Sequence, residues 1–538
     1  MTSWTSGYVA EVDYTHGYYR EMSPLMLQLA MLSKLQAHRV DRPLRYLELG
    51  FGQGLSLNIH AAAYSGEYWG TDFNPTQAAN ARELAVASGA NIRVLDDSFE
   101  ELARRDDLPE FDIIALHGIW SWISDENRRV IADIARRKLA VGGIFYLSYN
   151  TTPGWSAAIP LRHLMTLHLE VASGEAQGLV PRIDQALSFA QSVVDSNALY
   201  FRANPQVAER LKALKGLNKH YLAHEFFNAD WHPMPFSEAA NYLEPAKLSF
   251  AASSNLIAHV DALCLTPAQQ KLLASIAHPV LRESVRDYCD NQQFRRDIFV
   301  KGPRTLTLQQ QLETFKNLRF ATMTTDAEIP LKVNGGAGEA NLQAEIYRPL
   351  MAVLAEGGYA PKSVAELAEH PSLRVVPPHH LLQALVVLTG LSHVNPVQDE
   401  AGIKAAKPTA DALNAHLMEK AVFTSDVSFL ASPVTGGGVA AGRLQQLFLR
   451  SMRRGKGTPQ EWAVDIWPIF EAQGQRLIKD GKTLATAVDN IAELTKAAQE
   501  FATTRLPILK ALKVASAPGD AAGAFETGSE RRRKPAAA

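Results

Sequence analysis

Between Leu44 and Leu147, short β-rich runs alternate with stretches whose apolar positions recur every three or four residues. That alternation is the pattern of a parallel sheet covered by helices. LRYLEL (44–49), YWGTD (68–72), NIRVLDD (91–97), FDIIALH (111–117) and IFYLSYN (144–150) read as five strands. SLNIHAAAYS, PTQAANARELAVASG and NRRVIADIARRKLAVGG read as the helices between them, the second ended by Gly89 and the third by paired glycines. Five strands with crossover helices make an open α/β sheet, whose ligands collect at the carboxyl ends of the strands.

Residues 156–215 are helical in pattern and interrupt the hairpin expected to close the sheet. HYLAHEFFN (220–228) and KLSFAASSNL (247–256), around a short PFSEAANYL helix, are the candidates for that hairpin. In such a strand Glu225 faces the ligand side and His224 the opposite side, because strand side chains alternate. The domain layout that follows is an N-terminal lid (1–40), a catalytic domain (41–260) with insertion 156–215, a helical middle domain (261–330) and a mainly helical C-terminal domain (331–515). A chain ended after residue 260 is then expected to keep ligand binding, whereas deleting 156–215 damages the site. NGGAGEA (334–340) reads as a linker, and residues 516–538 lack apolar periodicity and are expected to be disordered. IYRPLMAVLAEGG, SVAELAEH, PPHHLLQALVVLTG and the β-like LSHVNPV have the lengths of a winged-helix unit.

Composition narrows the chemistry. The 538 residues exceed what one hydrophobic core organises, and 54 Lys plus Arg against 56 Asp plus Glu give no global positive field for nucleic acid. The would-be recognition helix PPHHLLQALVVLTG has no Lys or Arg to read bases or phosphates, so a packing or protein-interaction role is expected and no nucleic-acid partner. Two cysteines, Cys264 and Cys289, lack metal-ligand spacing and suit a reducing cytoplasm. No run of about 18 apolar residues and no export signal is found, so stable membrane insertion is not expected. His220 and His224 stand four apart, but Glu225 follows the second His instead of the first, so no metal site is expected. Gly481-Lys482-Thr483 resembles the end of a phosphate loop, but Arg476 takes the first glycine's place and the segment reads as helix.

The central motif is ELGFGQG (48–54), set between a strand and a helix, with Glu48 before glycines at 50, 52 and 54. Leu55 stands where a dinucleotide fingerprint has its third glycine. A Cβ-free turn of this kind suits S-adenosylmethionine, whose methionine part and ribose lie on the backbone. Asp72 ends the second strand, where a carboxylate accepts both ribose hydroxyl hydrogens; Asp72 and Asn74 also stand where a helix N-cap is needed. Asp97, Ser98 and Phe99 follow the third strand and can hold and wall an adenine, and Ser98 with Glu101 also fits a capping box. HGIWSWIS (117–124) and SYNTTPGW (148–155) follow the fourth and fifth strands; Trp120, Trp122 and Trp155 fit either an aromatic cage or core packing.

ELGFGQG, HGIWSWI, SYNTTPGW and HYLAHEF together resemble the bacterial methyltransferases that carry a methyltransferase regulatory domain, a group similar to rickettsial protein lysine methyltransferases acting on outer-membrane proteins. The likeness is strong over 1–165 and thin beyond 300. It implies a Rossmann-like class I methyltransferase sheet, added helical domains, a homodimer and N-methylation of lysine in a protein substrate. A small-molecule methyltransferase and a non-catalytic cofactor-binding regulator are the alternatives. Carried over by position, the resemblance supports Gly50, Gly52, Gly54, Asp72, Asp97 and His117 as cofactor contacts and DYTHGYYREMSP (13–24) as a lid. Relatives show Tyr-Pro where this chain has Gly17-Tyr18-Tyr19, so which tyrosine enters the pocket is open. Methyl transfer to lysine needs a neutral amine about 3 Å from the methyl carbon. Tyr18, Tyr19, Tyr149 and Asn150 are the candidates to aim it, and His117 or Glu225 to accept its proton.

Overall fold

The computed structural model describes residues 15–37, 43–172, 178–336 and 338–515. The expected disordered tail and the first residues of the lid lie outside these. Helix α1 (Pro24–Ser33) precedes the sheet, whose first five strands are β1 (Leu44–Leu49), β2 (Gly66–Thr71), β3 (Ile92–Leu95), β4 (Phe111–Leu116) and β5 (Leu139–Asn150). Between them run α2 (Leu55–Ala63), α3 (Pro75–Ser88), α4 (Phe99–Arg104) and α5 (Asp125–Lys138). Gly89 ends α3 in the left-handed conformation, as the sequence indicates. The paired glycines do not end α5: β5 begins at Leu139 and carries Gly142 and Gly143 inside it.

All five strands pair in parallel in the order β3-β2-β1-β4-β5. Period-two alternation divides the core. Tyr46, Ile113, Ile144 and Tyr146 pack on one face with α1, while Leu47, Ile114, Phe145 and Tyr149 pack on the other with α4 and α5.

The helical insertion is longer than expected. It comprises α6 (Ile159–Val171), α7 (Leu179–Asp195), α8 (Leu199–Ala203), α9 (Pro205–Lys215), α10 (Lys219–Phe226) and α11 (Phe236–Leu243). Most of these helices share a small core of their own, which includes Trp155, Leu161, Ile183, Leu211 and Phe226. HYLAHEFFN is therefore helix and not strand, with Asn218 capping its first turn through Oδ1.

The closing hairpin is β6 (Leu248–Ser253) with β7 (Phe294–Lys301). β7 enters between β5 and β6, antiparallel to both, and completes the order β3-β2-β1-β4-β5-β7-β6 of the class I methyltransferase sheet. The sheet thus draws on residues 294–301, well past the boundary placed at 260.

β7 is an unusual central strand because it buries charge. The Arg295 guanidinium is 2.7 Å from Asp297 and also pairs with Asp287 and Glu283, while the Tyr149 hydroxyl donates to Asp297 at 3.0 Å. A buried charge is tolerated in such a place only when paired and hydrogen-bonded.

Beyond β7 the chain is largely helical, with short strand pairs. Residues Lys332–Gly335 and Gly338–Asn341 pair as a hairpin where a linker was expected. Ile478–Lys479 and Lys482–Thr483 also pair, with Gly481 at φ 75° in the turn, so that segment is a hairpin and not a helix. No helix among the described residues is long and apolar enough to cross a membrane.

Candidate active site

The carboxyl ends of β1, β2 and β4 open onto a cavity lined by Glu48, Gly50, Asp72 and His117. Its floor is the turn after β1. Gly50, Gly52 and Gly54 take φ of 70°, 58° and 73°, a region that disfavours any side chain. A Cβ on Gly50 would stand 2.8 Å from Ile119 Cγ1, and one on Gly54 would stand 2.4 Å from the Cβ of Ala81. Gly50 and Gly52 line the cavity, whereas Gly54 lets α2 approach α3.

Two carboxylates face this space from the sheet, and a third, Glu225, from α10. Asp72, just past β2, accepts hydrogen bonds from the Gly52 N–H at 2.8 Å and the Asn74 N–H at 3.1 Å. Glu48, at the end of β1, has a buried Oε2 with no hydrogen-bond partner. Burial, and then the charge of Asp72, pushes Glu48 up to about 8. Burial also pushes Asp72 up to about 7, against its two backbone hydrogen bonds.

Opposite them, His117 follows β4 with Nδ1 at 2.8 Å from the Tyr146 hydroxyl and 3.1 Å from Ser148 Oγ. Burial lowers its pKa to about 4, so the ring is neutral at pH 7. Tyr19 stacks on that ring with centroids 3.8 Å apart. Trp122, together with His224 and Glu225 of α10, closes the remaining side. Because 219–226 is helical, His224 and Glu225 both reach the cavity, contrary to the alternation expected of a strand.

Glu48, Gly50, Gly52, Asp72, His117, Tyr19 and Glu225 therefore meet in one place, and the other candidates do not join them. The Tyr18 hydroxyl instead accepts from the Gly438 N–H in the C-terminal half. Tyr149 points to the opposite face of the sheet, toward Asp297. Asn150 is buried, its N–H donating to Ser121 Oγ and its carbonyl accepting from Met234. Asn74 caps α3 by accepting from the Thr76 N–H, the local role its position suggests.

The Asp97 carboxylate pairs with Arg105 at 3.0 Å, Ser98 forms a capping box with Glu101, and Phe99 packs, partly buried, against the core on the α4 and α5 side of the sheet; none lines the cavity. Of the three tryptophans, Trp120 lies in the core beneath the sheet and Trp155 in the insertion's core, under the Arg210 guanidinium. Tyr146 and Ser148 support His117 and were missed. Counting alternate positions along β5 separates them from Tyr149, since even-numbered residues face His117.

Residues 47–143 match the methyltransferase domain family, and residues 218–301, which hold α10 and the closing hairpin, match the predicted methyltransferase regulatory domain. Over 95% of its length the chain is 41% identical to the whole of the uncharacterized protein sll1526 of Synechocystis sp.. The chain belongs to the methyltransferases that carry a methyltransferase regulatory domain. It is 30% identical to protein RP789 of Rickettsia prowazekii across 53% of this chain and 51% of that one.

PKMT2 of Rickettsia typhi in complex with AdoHcy shares the fold of this methyltransferase at a TM-score of 0.68 and 16% identity, covering 91% of this chain and 98% of that one. The enzyme's cofactor is S-adenosylmethionine. The cavity fits it: the partnerless Glu48 oxygen and the Cβ-free turn call for a ligand that is cationic, rich in hydrogen-bond donors and laid close on the backbone.

Proposed function

We propose that this methyltransferase N-methylates lysine side chains of a protein substrate. The observation that carries the reading is the composition of the cavity wall: Glu225, Trp122 and Tyr19 with no lysine or arginine, a surface that attracts an incoming ammonium and repels none. The shared fold with PKMT2, a protein lysine methyltransferase, agrees with it.

Bound S-adenosylmethionine supplies a methyl group on a sulfonium, open to in-line displacement. Asp72 accepts hydrogens from the ribose hydroxyls, and Glu48 accepts from the ligand's amino group. Tyr19 and His117 wall the cavity, and the neutral imidazole puts no like charge beside the sulfonium. A lysine starts near pKa 10.4 and must lose a proton before attack. Glu225, a carboxylate on the cavity wall, takes that proton, and His117, which burial lowers to about 4, remains part of the wall.

The test is to incubate the full-length protein with a cell lysate and S-adenosylmethionine labelled in its methyl group. Label that enters protein bands and is recovered as methyl-lysine after hydrolysis is the expected result. Label found only in small solutes would replace the reading with a small-molecule methyltransferase, and no label at all with a cofactor-binding regulator.

A further inference from the structure

Tyr19 enters the cavity from a strap of chain that runs between the catalytic sheet and the C-terminal half. Its N–H donates to Ser56 Oγ at 2.9 Å, and its ring folds back over Gly17, where a Cβ would stand 2.5 Å from the tyrosine hydroxyl. The neighbours on either side of Tyr19 point elsewhere.

Tyr18 is clamped by the hairpin formed by Phe429–Ser432 and Gly437–Ala440. Its hydroxyl accepts from the Gly438 N–H, and its ring packs on Phe429. A Cβ on Gly438 would come within 2.8 Å of the Tyr18 ring, so the glycine pair 437–438 forms the slot. Arg20 donates to the Thr389 carbonyl at 2.8 Å and to the side chains of Ser392 and Asn395. These three partners lie between the helix Pro378–Gly390 and the strand Val394–Val397, in or beside them. They are neutral acceptors arranged around one guanidinium, a costly placement unless each bond is made.

We propose that Tyr18 and Arg20 are positioning residues through which the C-terminal half sets where Tyr19 stands over His117, and with it the affinity of the cavity for its cofactor. This rests on the assignment of the cavity to S-adenosylmethionine. Consecutive Cα atoms are about 3.8 Å apart and joined by planar peptides, so two anchored neighbours leave the residue between them little freedom. The anchors sit on two separate elements of the C-terminal half, and a shift of either one moves the stacked ring.

The experiment uses the full chain, AdoHcy as probe, and two variants on opposite sides of Tyr19, Gly438→Ala and Arg20→Met. Each is expected to weaken AdoHcy binding on the order of tenfold by calorimetry, an ordinary size for coupling between sites. In a Tyr19→Ala background the same changes should add less than about twofold, since the group they act through is gone. In the ligand-free protein, amide hydrogen exchange over residues 17–20 should accelerate in both variants.

Thr495→Ala removes a 3.0 Å hydrogen bond to Gln460 within the C-terminal half, away from both the strap and α2, and should leave exchange and affinity unchanged. Unaltered exchange at 17–20 in both variants overturns the proposal, as do equal losses of affinity with and without Tyr19. If the unmodified protein gives no heat with AdoHcy, the cofactor assignment fails instead, and the exchange data still decide the proposal.

Discussion

On the proposed reading of the cavity, Glu48 and Asp72 make cofactor binding a proton-releasing reaction. In the ligand-free site burial pushes them up to about 8 and about 7, whereas in the proposed binding mode the ionised form, facing a cationic amino group and hydroxyl hydrogens, is the favoured one. At pH 7 the first is then about one-tenth ionised and the second about half, so binding AdoHcy releases roughly 1.4 protons. Between pH 6 and pH 7, where the ligand's α-amino group stays charged, the cost of ionising the pair falls by a factor of roughly 50 in affinity. Glu48→Gln should bind more weakly and keep only the roughly fivefold rise that belongs to Asp72.

Calorimetry at the two pH values, in buffers of different ionisation enthalpy, reads both quantities. An affinity flat within about twofold from pH 6 to pH 7, or no net proton release, would refute the reasoning. Stability supplies an independent check. Both carboxyls are raised from ordinary values of 4.5 and 3.8, so their favourable contribution is full at low pH and is lost as pH rises through 7 and 8. His60, His117 and His259 are lowered to about 3, about 4 and about 3, so between pH 6.5 and 8 only their unfolded forms still lose protons, an opposing contribution of about 0.4 kcal/mol each that together stays smaller than that of the carboxyls. The ligand-free protein should therefore lose melting temperature between pH 6.5 and 8, and Glu48→Gln should flatten the loss.

Two further outcomes are expected. Glu225→Gln should leave AdoHcy affinity within about twofold while lowering turnover on the protein substrate roughly 10²- to 10⁴-fold at pH 7, the usual worth of a positioned proton acceptor; an unchanged rate removes Glu225 from that role. Arg295→Met should lower stability in urea by about 3–5 kcal/mol, because Asp297 and Asp287 would be left buried without their cation.

Where local pattern decides structure, the sequence was sufficient. The five parallel strands and the glycine turn follow from apolar runs, periodicity and residues that tolerate positive φ, and all were readable in advance. Two kinds of information were not. HYLAHEF has no strong preference by pattern; Asn218, which caps the helix, is the local signal that makes it α10. FRRDIFVK did not read as a central strand because Arg295 and Asp297 stand where apolar residues are expected, and only the pairing of those charges with Asp287, Glu283 and Tyr149 makes burial possible. At the site, parity along β5 was available and would have chosen Tyr146 and Ser148 over Tyr149. The role of Tyr18 was not available, because its partner lies 420 residues away.

One helix explains why the catalytic half does not stand by itself. SLNIHAAAYS has apolar residues on all sides, the mark of a helix covered all round, and every residue of α2 is buried. Leu57 and Ala61 face the core that holds Tyr46 and Ile113, whereas Leu55, Ile59, Ala62 and Ala63 face the helix Glu400–Lys420 and the hairpin 429–440. Gln398 and Thr409 add hydrogen bonds to the carbonyls of Ala63 and Ala62. A chain ended after residue 260 would expose that second face and would also lack β7, the strand that joins β5 to β6. Retention of cofactor binding by such a fragment, the outcome expected from the first domain layout, loses its basis. The glycine turn opens directly into α2, so the packing that holds α2 from the far side also holds the floor of the cavity.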